Sequence, residues 1–128
     1  MFAAFCDETG LDFDTALKLA SSLGGGMGGL REVCGAVSGM FLVAGLKYGY
    51  SDPNDPKKKA EHYKRIRALA TQFKEQHDSI ICRELLELQS KQPRCADCGN
   101  KRPCTALVEF AANLLDESIK RNNTEEKK

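Results

Sequence analysis

A run of glycines stands directly before the most apolar segment of the chain, and it limits what the chain can fold into. Five of the six residues from 24 to 29 are glycine. Glycine adopts a positive φ without steric cost, so the run predicts a tight loop whose backbone N–H groups come close to an anion, a metal-bound sulfur or another part of the backbone. Gly25, Gly26 and Gly28 are therefore candidate cofactor-binding residues.

Apolar side chains recur at helical spacing in the rest of the chain. Helices are predicted over residues 13–23, 30–48 and 57–77, then from about residue 80 and from Pro103 onward. In the 13–23 helix, Asp12 is the candidate N-cap. The apolar stripe of that helix consists of Phe13, Ala16, Leu17, Ala20 and Leu23.

No strand pattern of convincing length and no internal repeat accompanies these helices. We therefore expect an all-α fold, a single compact bundle of five or six helices with a Gly-rich loop before the central helix. A chain of 128 residues fits one domain, which we assign to residues 1–121, followed by a charged tail over 122–128. Residues 1–6 have the pattern of a helix end, closed by Gly10.

Charge and hydropathy exclude several classes of partner. The 19 basic and 18 acidic side chains nearly balance, so no nucleic acid or anionic membrane is expected to bind. The longest apolar run, Met40 to Leu46, is too short to span a bilayer. The short apolar run at the start has no basic region before it, so we do not expect it to act as a signal peptide. These features predict a soluble, cytoplasmic protein, in which six cysteines serve metal binding or redox chemistry rather than a disulfide framework.

Three cysteines, Cys34, Cys82 and Cys104, are each predicted at the start of a helix. Asp78 or Ser79 would cap the helix that begins near Cys82. The positive end of a helix dipole favours the thiolate, so three converging helix starts would suit a soft metal, an iron–sulfur cluster or a reactive redox thiol. We expect their sulfurs to lie close together. The alternative is that these cysteines only pack in the core of a helical interaction domain.

A second signal is the Cys95-x-x-Cys98 pair, which is followed by a glycine. Two thiolates at this spacing can chelate one ion, so with Cys82 and Cys104 they would complete a structural zinc site. This is the alternative to a redox role. A dithiol function for the pair lacks the βαβ context of thioredoxin-like proteins. Cys6, like Cys95 and Cys98, is a less favoured ligand.

The motifs around the three helix-start cysteines resemble the C_GCAxxG_C_C family of redox-active proteins. The resemblance lies in Cys34-Gly35-Ala36-Val37-Ser38-Gly39, Cys82-Arg83-Glu84-Leu85 and Arg102-Pro103-Cys104. It implies a small helical protein whose spaced cysteines carry redox chemistry or hold an iron–sulfur cluster, with Arg83 among the cofactor-binding residues. The family domain also occurs joined to a haem domain in split-Soret-type cytochromes. An electron-transfer function implies a redox partner protein, and a homodimer is a further expectation.

The chain departs from the family pattern at its start. The first family cysteine normally stands upstream of the position of Met1, and Cys6 does not occupy that register. We therefore expect that the N-terminus is truncated and that the chain as given carries three of the four family cysteines.

Overall fold

Six α-helices make up most of the chain in this computed structural model, which describes residues 1–90 and 104–126. They are α1 (Cys6–Thr9), α2 (Phe13–Ala20), α3 (Gly35–Tyr48), α4 (Pro56–His77), α5 (Cys82–Ser90) and α6 (Cys104–Glu126), with 3₁₀ turns at Phe2–Phe5 and Ser21–Leu23. In the described ranges, β pairing is limited to a single bridge between Val33 and Ile81. The all-α prediction is confirmed, while Cys95, Cys98 and Pro103 lie outside the described residues.

Helix α3 is the centre of the fold. It packs against α4, α6 and the N-terminal 3₁₀ turn, and its buried positions are Ala36, Val37, Ser38, Gly39, Met40, Val43 and Ala44. A Cβ at Gly39 would lie 3.1 Å from the Cγ of Met1, and one at Gly35 would lie 2.8 Å from the carbonyl oxygen of Leu23. The small residues at the start of α3 therefore let two neighbouring segments approach its backbone.

The predicted start of α3 was wrong. The helix begins at Gly35 and not at residue 30, because Arg31 has a positive φ and the bridge at Val33 keeps the preceding backbone extended. Leu30 is accordingly 71% exposed.

The predicted stripe of α2 was wrong in part. Ala16 is buried, but Phe13 and Leu17 are 62% and 47% exposed, because α2 lies against the N-terminal 3₁₀ turn through its small residues. The helix also ends at Ala20, and the 3₁₀ turn follows it.

Side chains and left-handed residues define the ends of the helices. Asp12 accepts a hydrogen bond from the Thr15 N–H (2.9 Å), which confirms the predicted N-cap. Gly10 closes α1 with a φ of 76°. At the start of α5 the Ser79 hydroxyl accepts a hydrogen bond from the Ile81 N–H and donates one to the Glu84 carboxylate. Of the two predicted capping residues, Ser79 and not Asp78 therefore makes the side-chain hydrogen bonds at the start of this helix.

Neither described range contains a helix long and apolar enough to cross a membrane.

His77 at the end of α4 belongs to an aromatic cluster. Its ring centroid lies 4.9 Å from that of Phe73 and 4.7 Å from that of Phe110. Its buried Nε2 has no hydrogen-bond partner within the described ranges. Burial lowers the pKa of His77, and the adjacent Asp78 offsets this only in part.

The depressed pKa of His77 predicts a loss of stability in mild acid. The unfolded chain takes up a proton near the ordinary histidine pKa of 6.5, before the folded chain does, so the free energy of unfolding falls as the pH drops below that value. His77→Phe preserves the aromatic contacts and removes this proton, so we expect a flatter dependence of the urea midpoint on pH between about pH 7 and 5.

Gln76→Leu, at an exposed neighbouring position, is the control and should keep the slope of the wild-type protein. An equal slope in His77→Phe would show that His77 does not contribute to the acid sensitivity.

Candidate functional site

A pocket of about 260 Å³ lies where the glycine loop meets the beginnings of α3, α5 and α6. Three thiols, those of Cys34, Cys82 and Cys104, contribute to its lining. The rest of the lining includes the loop residues 24–26, the guanidinium-bearing Arg31 and an apolar side to which Phe2 and Val108 contribute. Cysteines that are far apart in the sequence therefore face one cavity.

Backbone pairing joins the segment before α3 to the segment before α5. The Cys34 N–H donates to the Ile80 carbonyl (2.8 Å), the Cys82 N–H donates to the Glu32 carbonyl (2.6 Å), and the bridge between Val33 and Ile81 lies between these bonds. Since side chains alternate across such a pair, Cys34 and Cys82 lie on the same side of it. The pairing thus places two of the pocket thiols on one side of the pair, as diagonal neighbours.

The glycine loop is held against this pair by its own hydrogen bonds. The N–H groups of Arg31 and Glu32 donate to the carbonyls of Gly25 (3.0 Å) and Gly26 (2.9 Å). Gly26 has a φ of 71°, and a Cβ there would lie 2.7 Å from the Cβ of Cys82. The predicted close approach of the glycine loop to another part of the backbone is therefore found at Gly26.

All three pocket cysteines stand at helix starts. Cys34 is the N-cap residue of α3, Cys82 is the first residue of α5, and α6 is described from Cys104 onward. Cys34 therefore precedes its helix and does not lie within its first turn. Cys34 and Cys82 are buried, whereas Cys104 is exposed, so packing in the core does not account for all three cysteines.

Burial decides the protonation of Cys34. It raises the pKa of this thiol, and the backbone N–H groups of Val37 and Ala36 at the start of α3 offset the rise only in part. Cys82 and Cys104 lie near enough to raise it further. The expectation of a helix-stabilised thiolate at Cys34 was therefore wrong for the metal-free chain, because desolvation exceeds the effect of the helix start.

Other residues selected from the sequence lie elsewhere. Cys6 donates from its thiol to the Ala3 carbonyl (3.0 Å) and does not line the pocket. Gly28 has the expected positive φ but also lies outside the lining. Arg83 is paired with Glu32 at 3.2 Å, away from the pocket. Cys95 and Cys98 fall outside the described residues.

Sequence reasoning missed Arg31 and the N-terminal residues Met1 and Phe2, all of which line the pocket. The Nη1 atom of Arg31 lies 3.9 Å from the Sγ of Cys82. The position of Arg31 two residues after the glycine run was a usable signal, since a chain leaving a tight loop remains close to it. Nothing in the sequence indicated that residues 1 and 2 close another side of the cavity.

The side chains do not form a preassembled metal site. Within residues 1–90 and 104–126, no three histidine, cysteine, aspartate or glutamate side chains are arranged so that they could hold one metal ion. The three thiols share a cavity without converging on a common point.

The close approach at Gly26 can be tested against a matched glycine. Gly29 also has a positive φ, of 82°, but a Cβ there would meet nothing within 4 Å. Gly29→Ala should therefore cost only the left-handed strain, about 1 kcal/mol. Gly26→Ala adds overpacking against Cys82 and the loop backbone, so we expect about 3 kcal/mol in urea unfolding. Equal costs for the two variants would contradict the packing described here.

Comparison with known proteins connects this geometry to a family. Neither a search of curated proteins nor a search of solved structures found a match to the chain. A family profile described as "Putative redox-active protein (C_GCAxxG_C_C)" matches residues 1–118. The match includes all three cysteines that line the pocket. The chain belongs to the C_GCAxxG_C_C family.

Proposed function

We propose that this chain is an electron-transfer protein whose working groups are Cys34, Cys82 and Cys104. One observation carries the proposal: three thiols from separate parts of the sequence line a single pocket. The family description supports the redox character of the chemistry. Electrons would be exchanged with a redox partner protein.

An iron–sulfur cluster is the most specific form of this function. Cysteine thiolates are the usual ligands of such clusters, and a cluster takes four of them in most proteins. The pocket provides the right donor chemistry and three of the four ligands. The three side chains do not converge on one point, so loading requires them to turn toward a shared centre. When bound, the cluster would supply a one-electron redox centre.

The residues around the thiols favour such an occupant. The Ala36 and Val37 N–H groups at the start of α3 act on the Cys34 sulfur. The first N–H groups of α5 are already paired with the carbonyls of Glu32 and Arg31, so α5 contributes only the positive end of its dipole. Phe2 and Val108 line the apolar side of the pocket and limit the access of water. On metal binding, each coordinating thiol gives up its proton, including the buried Cys34.

Anaerobic reconstitution tests the cluster proposal. The full chain is incubated with ferrous iron and sulfide, and bound iron, acid-labile sulfide and visible absorption are measured. We expect the wild-type protein to acquire all three signals, and Cys34→Ser, Cys82→Ser and Cys104→Ser each to lose most of them, since each removes one ligand.

Two control variants separate the cluster from the structural zinc alternative. Cys6→Ser and the double variant Cys95→Ser/Cys98→Ser should load iron and sulfide like the wild-type protein, because the proposed site does not use these residues. Zinc bound by the wild-type protein and lost in the double variant would instead favour zinc held by Cys82, Cys95, Cys98 and Cys104. No iron–sulfur signal in any variant would reject the cluster.

A dithiol couple between Cys34 and Cys82 is a second candidate function. The backbone pairing that places these residues on one side favours it, as does the absence of a preassembled metal group in the described ranges. Oxidation would join the two sulfurs, and two electrons and two protons would pass to an oxidised redox partner protein. Mass mapping of the metal-free chain after mild oxidation tests this directly, because the couple requires a reducible Cys34–Cys82 disulfide.

A further inference from the structure

Arg31 occupies a backbone conformation that is unusual for its residue type. Its φ is 61°, and it follows a loop in which Met27 (φ 68°) and four glycines also have positive φ values. Unlike Met27, Arg31 lines the cysteine pocket. A non-glycine residue in the left-handed region is strained, and such strain often accompanies a functional requirement. A glycine would fit the position more easily, so the arginine side chain requires an explanation.

The backbone of Arg31 is fixed from both sides. Its N–H donates to the Gly25 carbonyl (3.0 Å), and its carbonyl accepts from the Arg83 N–H (3.2 Å). The Arg83 side chain also donates to this carbonyl, at 3.5 Å. These bonds fix the backbone of Arg31 beside the pocket. From there its side chain reaches the pocket, where Nη1 lies 3.9 Å from the Sγ of Cys82.

The positive charge of Arg31 is not matched by a carboxylate. The neighbouring Glu32 pairs with Arg83, and none of the ion pairs found in residues 1–90 and 104–126 includes Arg31. A cation therefore lines the cysteine pocket beside Cys82, with no acidic partner in the described part of the chain.

We infer that Arg31 makes the cysteine pocket selective for a negatively charged occupant. Such an occupant places its negative charge near the Arg31 guanidinium and the atom that binds sulfur at Cys82. The inference rests on the proposed function only in taking Cys82 as a working thiol. A thiolate-held cluster and a small anionic molecule share this chemistry. The guanidinium lies near the Cys82 sulfur on a backbone that is held in place. Its positive charge would offset the negative charge of a cluster or of a small anionic molecule.

Two alkylating reagents of different charge test this selectivity on the metal-free protein. Iodoacetate and iodoacetamide both lose iodide to a cysteine sulfur, but only iodoacetate carries a negative charge. The ratio of their rates at Cys82, measured by mass spectrometry at one pH, therefore cancels the reactivity of the thiol itself. We expect Arg31→Gln to lower the ratio about fivefold, the effect of two unit charges about 4 Å apart in water.

Several controls accompany this measurement. Arg31→Lys keeps the charge and should retain most of the ratio, and Arg67→Gln, which removes an exposed charge on α4, should leave it unchanged. Added salt should lower the ratio in the wild-type protein. The ratio at Cys6, which does not line the pocket, should stay constant in all variants.

Arg31→Gly keeps the test valid if Arg31→Gln folds poorly. Glycine relieves the positive φ, so this variant should keep a urea midpoint at or above that of the wild-type protein while losing the iodoacetate preference. An unchanged ratio at Cys82 in both variants would overturn the inference. So would a lower ratio accompanied by a lower urea midpoint in both variants, since Arg31 would then support the loop and not the occupant.

The two kinds of occupant are separated by reconstitution. If Arg31 serves a cluster, Arg31→Gln should release iron to a chelator several times faster than the wild-type protein. Unchanged iron release with a lowered alkylation ratio supports a small anionic molecule instead. The alkylation rates are measured without metal. They therefore test the charge selectivity of the pocket even if the protein fails to load a cluster.

Discussion

The site depends on the antiparallel pairing between the segment that precedes α3 and the segment that precedes α5. Hydrogen bonds from Cys34 to Ile80 and from Cys82 to Glu32 fix two helix starts side by side. The glycine loop can approach this pair because Gly26 has no side chain where the Cβ of Cys82 lies. Without the pairing, the two thiols would belong to separate helices, and the loop would have no surface to close over.

The pocket combines features that oppose each other energetically. Burial keeps the Cys34 thiol protonated in the metal-free chain, whereas helix starts and the Arg31 cation favour negative charge in the same cavity. Metal binding, or oxidation by a partner, would remove the thiol protons. The helix starts and the Arg31 cation would then stabilise the negative charge that remains in the pocket. The site is therefore better suited to an occupant that binds to sulfur than to permanently ionised thiols.

Most of the fold follows from helical periodicity, and the Asp12 N-cap could be read directly from the sequence. The start of α3 could not, because the apolar spacing continues through Leu30 and Val33 while backbone conformation ends the helix at Gly35. The exposure of Phe13 and Leu17 depends on which neighbour α2 meets, and periodicity does not encode that neighbour. The cysteines were identified by their positions at helix starts. Arg31 had one usable signal, its place just after the glycine run, but the family motif around Cys82 drew attention to Arg83, and only the fold shows that Arg31 lines the pocket while Arg83 pairs with Glu32.

The central claim is that Cys34, Cys82 and Cys104 surround one cavity, and thiol bridging tests it most directly. The variant Cys6→Ser/Cys95→Ser/Cys98→Ser retains only these three thiols, and dibromobimane joins two thiols only when they lie close together. We predict that the folded, metal-free monomer forms an internal bridge between two of the three cysteines, mapped by tandem mass spectrometry, and that this preference disappears in urea. Three separate single adducts in the folded protein would contradict the shared cavity.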